Sequence, residues 1–262
     1  MNQPQHLTLC ADDFGLNPQV CTGILTLAAM GRLTAVSCMT NLPDFAAYAD
    51  KLLAFKDHIQ LGLHFNLTQG PLITKALPCF SLKELLIKTH LRLINAELIA
   101  QELDAQLKAF IQVMGCLPRF IDGHQHIHQF PVIRKILLKR YEQELRAAKV
   151  AIRSTYPVVD SKSYALKKYV LAYSGGRSLS RQLKKLGIPH NAYFAGIYDF
   201  NPKANYPDLF AQWIKASPPN TLIMCHPAKG RHSEDEIAQC REEELHFFMS
   251  DAFKEVLSGH NP

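Results

Sequence analysis

Short apolar runs alternate with longer amphipathic stretches along almost the whole chain, and that alternation restricts its fold more than any single motif. The runs at residues 7–11, 35–40, 60–67, 120–123, 151–154, 192–197 and 221–225 read as strands. Between them, residues 18–30, 45–55, 96–113, 132–146, 207–215 and 235–256 carry helical patterning. Asn17 before Pro18 makes a good helix start, a capping side chain followed by a residue with preset φ. Alternation of this kind builds βα units around a parallel sheet. Seven strands without a glycine-rich dinucleotide fingerprint favour a closed or nearly closed, TIM-like (β/α) barrel over an open nucleotide-binding sheet. No linker divides the sequence, so residues 1–262 are expected to form one α/β domain, a size that suits a barrel. Excursions are expected at residues 69–78 and at Ser174-Gly175-Gly176-Arg177, where the glycines could equally break a helix.

The apolar fraction of 47% is ample for a sizeable core. The net charge of +6 comes from scattered basic residues such as Lys88, Arg92, Lys108 and Arg134, which read as solvated helix faces. With no recognition-module signature, no nucleic-acid partner is expected. Seven cysteines, several inside apolar runs and none in a Cys-x-x-Cys pair, read as buried reduced thiols. The first residues lack the basic and apolar regions of a signal peptide, and no window reaches about 18 uninterrupted apolar residues. A cytoplasmic protein without a membrane span is therefore expected.

Polar residues with chemical potential cluster at the ends of the expected strands, where barrels gather their chemistry. The first strand leaves through Ala11-Asp12-Asp13-Phe14-Gly15. Two adjacent carboxylates beside an apolar strand repel each other unless a cation or base offsets them, and Gly15 could let the exit turn swing both toward the mouth. In Leu61-Gly62-Leu63-His64-Phe65-Asn66-Leu67-Thr68 the odd positions form an apolar face and His64 and Asn66 share the other. Asp122-Gly123-His124-Gln125-His126-Ile127-His128 places Asp122, His124, His126 and His128 at alternate positions. If the strand continued, all four would point the same way, as imidazole and carboxylate ligands for a borderline or hard cation. Arg153 stands where it could orient a carboxylate, and His226, in Cys225-His226-Pro227-Ala228, has the position of a general acid or base.

Taken in order, Ala-Asp-Asp-Phe-Gly, Leu-Gly-Leu-His-Phe-Asn-Leu-Thr, Asp-Gly-His-Gln-His-Ile-His-Gln-Phe-Pro and Cys-His-Pro-Ala resemble the YdjC-like carbohydrate deacetylases over roughly residues 7–230. The resemblance implies a deformed (β/α) barrel and one divalent metal, magnesium first and zinc as the alternative, on Asp13, His64 and His124. It implies Asp12 as general base. Looser similarity to the NodB-type polysaccharide deacetylases implies His226 as the acid and Arg153 as the group orienting Asp12. Asn66, His126 and His128 remain as substrate or pocket groups. Gln125 stands where family members often carry His, and Gly123 replaces a frequent Ser, which bears on substrate detail. The implied activity is hydrolysis of an N-acetyl group from an amino-sugar saccharide. The same site would also serve another acyl amide or ester, while a silent sugar- or metal-binding protein would need only one of the two aspartates. A homodimer is left open.

Overall fold

The computed structural model describes residues 7–159 and 164–258. Seven strands, β1 (Leu7–Phe14), β2 (Ala35–Cys38), β3 (Gln60–Phe65), β4 (Phe120–Gly123), β5 (Ala151–Ile152), β6 (Tyr193–Ala195) and β7 (Thr221–Cys225), form one sheet in the order β5-β4-β3-β2-β1-β7-β6. All their pairings are parallel. The edges meet because the chain beyond β5 runs on beside β6. Phe194 donates to the Pro157 carbonyl at 3.0 Å, and Val159 donates to the Phe194 carbonyl at 2.8 Å. The result is the deformed (β/α) barrel that the family resemblance implies, in keeping with the closed or nearly closed barrel expected from the strand pattern.

Around it stand α1 (Pro18–Ala29), α2 (Pro43–Leu53), α3 (Leu82–His90), α4 (Ala96–Met114), α5 (Pro131–Arg140), α6 (Ala165–Leu171), α7 (Arg177–Leu186), α8 (Tyr206–Ala216), α9 (Ala238–Met249) and α10 (Asp251–Ser258). Asn17 caps α1 by accepting from the Val20 N–H at 2.9 Å, with Pro18 in the first turn. Three helices, α3, α6 and α7, add to those expected. The helical stretch expected over 235–256 is two helices, broken where Ser250 turns to extended backbone. The Ser174–Arg177 excursion is instead a kinked join between α6 and α7. Gly175 sits there at φ +142°, and a Cβ on it would lie 2.0 Å from the Gln129 carbonyl oxygen.

The period of two along the strands sorts their side chains into three sets. Leu9, Val36, Leu63, Ile121, Ile152 and Ile223 face outward into the main core beneath the helices. Cys10, Ala35, Phe120, Phe194 and Leu222 fill the lower barrel with a second apolar cluster. Two residues further along each of five strands or strand exits come Asp12, Ser37, His64, Asp122 and Arg153, all buried. The polar layer therefore lies at the carboxyl end, on an apolar floor.

Candidate metal centre and active site

Two neighbouring aspartates reach this end through a bulge in β1. Ala11 pairs with Val36 and Phe14 with Cys38, so three steps on β1 match two on β2. Asp13 takes the extra position in left-handed backbone, φ +70°. The bulge, with the glycine turn only following it, turns Asp13 toward the mouth beside Asp12.

Asp12 is buried and gripped by Arg153, whose Nη1 donates to Oδ2 at 2.6 Å and Nη2 to Oδ1 at 2.7 Å. Nη2 of Arg153 also lies 2.5 Å from Asp122 Oδ2. Asp122 Oδ1 in turn accepts from Ser37 Oγ at 2.5 Å and lies 2.6 Å from His64 Nδ1, a pairing that follows from the His64–Asp122 register of β3 and β4. With Nδ1 held by Asp122, His64 turns Nε2 toward Asp13 Oδ1, 3.2 Å away. His124 Nδ1 approaches the same oxygen at 2.9 Å. The other oxygen, Oδ2, accepts from Arg241 Nη2 of α9 at 2.7 Å.

The histidine run does not continue β4. The strand stops at Gly123, and Gln125 and His126 enter left-handed backbone at φ +52° and +61° inside a short turn. Its alternate residues therefore diverge. His124 faces Asp13. His126 lines the cavity and packs edge-on against Phe194. His128 turns inward, where its Nε2 lies 3.0 Å from the Arg153 carbonyl oxygen. His128 and Asn66, both expected to meet substrate, are absent from the cavity lining. Asn66 is fully buried because its side chain organises the loop after β3. Its Oδ1 accepts from the N–H groups of Thr68 and Gln69, and its Nδ2 donates to Asn41 Oδ1 and the Gln69 carbonyl.

A cavity of about 560 Å³ opens over these groups, lined among others by Asp12, Asp13, His64, His124, His126 and His226. His226 follows β7, with its ring edge-on to Phe200 at 5.1 Å and its backbone N–H donating to Glu244 Oε2 at 2.5 Å. Tyr198 OH donates to the other oxygen of Glu244 at 2.6 Å. Sequence reasoning missed Asp122 as a partner of His64 and Arg153, although its place opposite His64 on adjacent strands was a usable signal. It also missed Arg241 and Glu244, which no motif marks.

The electrostatics follow from burial without water. Burial alone would raise Asp13, but His124 and Arg241 outweigh it and hold the carboxyl well below its ordinary range. Burial opposes charge on His64, yet Asp122 and Asp12 overcome it and lift the imidazole to about 10. Without a metal ion, the pocket thus draws a proton onto a ring facing Asp13; a cation there would meet the same demand. One carboxylate and two imidazoles with donor atoms within 4.8 Å of one another fit a divalent ion. The orientation of His64 by a carboxylate is the support such ligands generally have. Among the described residues Cys10, Asp12 and Asp122 also converge, but the Arg153 guanidinium already fills that space. Burial depresses His226 to about 4 and raises Glu244 to about 7.

The sequence model of the family described as YdjC-like protein matches residues 6–259. A carbohydrate deacetylase of Geobacillus stearothermophilus is 33% identical over 165 residues, covering 60% of this chain and 65% of that protein. A chitooligosaccharide deacetylase of Proteus mirabilis is 31% identical over 143 residues, covering 53% and 56%. Its counterpart in Yersinia enterocolitica is 26% identical over 230 residues, covering 85% and 81%. The chain thus spans only 65% and 56% of the length of the first two of these relatives. In three dimensions it is similar to a candidate cellobiose-phosphate cleavage protein from Enterococcus faecalis V583, at a TM-score of 0.71 and 20% identity over 97% of this chain and 94% of that one. That likeness is one of fold. No helix among the described residues is long and apolar enough to cross a membrane.

Proposed function

The chain belongs to the YdjC-like family, and from that premise we propose that it is a metal-dependent hydrolase removing an N-acetyl group from an amino-sugar saccharide. The observation that carries this reading is the convergence of Asp13 Oδ1, His64 Nε2 and His124 Nδ1 beside the Arg153-held Asp12 in one cavity. Curated relatives named as carbohydrate and chitooligosaccharide deacetylases support the choice of bond.

Asp13, His64 and His124 would hold the metal. Magnesium is the first expectation, and zinc the alternative that two imidazole donors suit. When bound, a divalent ion would polarise the acetyl carbonyl and make a nearby water more acidic. Asp12 would take the proton of that water, and the Arg153 fork fixes its carboxylate in direction. His226 gives a proton to the departing amine nitrogen. Glu244 anchors its backbone through Oε2, and its Oε1 lies 3.9 Å from His226 Nδ1. His126 and Phe200 contribute cavity wall against the sugar, and a cavity of about 560 Å³ falls within the range common for small-molecule sites.

The test is acetate release from N-acetylglucosamine oligomers after chelation and re-addition of magnesium, zinc, manganese or cobalt. Release that chelator abolishes and one of these ions restores is the expected result. No acetate with any of them would sink the deacetylase reading for those substrates.

A further inference from the structure

Three carboxylates, Asp12, Asp13 and Asp122, are buried together in this site, and two buried guanidiniums face them. Arg153 serves Asp12 and Asp122. Asp13 falls to Arg241, which arrives from a helix 228 positions later in the chain. Arg241 is itself buried. Its Nη2 donates to Asp13 Oδ2 at 2.7 Å, and its Nε lies 2.7 Å from Asp235 Oδ2. Its backbone carbonyl accepts from the Ala228 N–H at 3.1 Å, so the start of α9 is tied to the chain leaving β7. Asp13 has its backbone in a left-handed bulge, and its other oxygen is approached by two imidazole nitrogens, at 2.9 and 3.2 Å.

We propose that Arg241 is the positioning residue that keeps the metal-free site assembled: it binds Asp13 through Oδ2 and so leaves Oδ1 turned toward His64 and His124. The inference rests on Asp13 being a metal ligand. Among the described residues Arg241 is the one guanidinium on Asp13; stripping a buried carboxylate of it is costly, but a divalent ion on Oδ1 would replace the lost charge. Arg241 therefore matters most when the ion is absent. Because whatever binds the folded state stabilises it, a chain that needs the ion more must also bind it more tightly. Arg241 thus gives up some metal affinity in return for a site that stands ready without metal.

The experiment is thermal unfolding of the full chain at one pH, in EDTA and in saturating cobalt(II), with cobalt binding followed by calorimetry. Arg241→Gln should lower the melting temperature far more in EDTA than in cobalt, and should tighten cobalt binding on the order of tenfold. A Gln variant that folds only with cobalt is the extreme form of the same result. Arg241→Lys should fall between, because the ammonium keeps the charge without the fork. Equal losses in both media with cobalt affinity unchanged, or a larger loss in cobalt with affinity weaker, would make Arg241 a packing residue of α9 or an aid to metal binding and overturn the proposal. A wild-type chain whose melting point responds to none of cobalt, zinc, manganese and magnesium would instead remove the metal reading of Asp13, and this inference with it.

Discussion

Asp12 and Asp13 are adjacent in sequence yet attached to opposite machinery. Both oxygens of Asp12 are claimed by one guanidinium, whereas Asp13 divides its two between Arg241 and the paired imidazoles. This division assigns the two carboxylates different losses. Asp12→Asn should retain bound metal and depress turnover by about 10²–10⁴-fold, the range of a single positioned base. His124→Ala should lose the metal itself, by elemental analysis of the purified variant. Metal lost from Asp12→Asn would reverse the two aspartates' roles, and metal kept in His124→Ala would remove His124 from the ligand set. At this scale Asp12, Asp13, His64, His124 and His226 stood out in the sequence as polar residues at the ends of apolar runs, and the family resemblance selected His124 from its alternating run. Arg241 and Glu244 were illegible, since a charged residue on a helix looks the same whether it meets water or a buried aspartate.

The element that brings the site together is the parallel pair β3–β4. Its register sets His64 opposite Asp122 and thereby decides which imidazole nitrogen faces Asp13. Gly62, one inward position below His64, leaves room for the Phe120 ring: a Cβ there would come within 2.4 Å of ring carbons. Gly62→Ala should therefore force the two strands apart and destabilise the fold by about 1–3 kcal/mol, the usual cost of overpacking. Urea unfolding measures this; a change below about 0.5 kcal/mol, the scale of an ordinary surface substitution, would mean the ring moves aside freely. Strand positions were readable because short apolar runs alternate with longer amphipathic stretches. The end of β4 was not, because Gln125 and His126 leave extended backbone through dihedrals that no hydrophobic pattern reports.

Across the whole molecule, buried titratable groups couple stability to pH. Burial lowers His128 and His226 to about 4. A depressed histidine favours the fold above its ordinary value of about 6.5, and that contribution is lost as pH falls through 4. Asp122, which Arg153 and His64 hold at about 2 despite burial, contributes above the ordinary carboxylate range and loses its share as pH falls through 2. Glu244, raised by burial to about 7, acts oppositely, favouring the fold below its ordinary value and losing that as pH rises through 7. Metal-free protein should accordingly lose urea resistance first between pH 6.5 and 4, and His128→Gln should flatten that stage relative to its own value at pH 7. An unchanged slope in the variant would show that His128 takes no part. The sequence by itself determined the seven strands and a closed or nearly closed barrel, because short apolar runs alternating with amphipathic stretches bury their surface as βα units around a parallel sheet. Only the tertiary structure decided the wiring that no motif implied. Arg153 beside Asp12 and Asp13 beside His124 follow the family resemblance, whereas Asp13 meets Arg241 from 228 positions away and Glu244 meets the His226 N–H and Tyr198, and no local pattern records which distant group a buried carboxylate will meet.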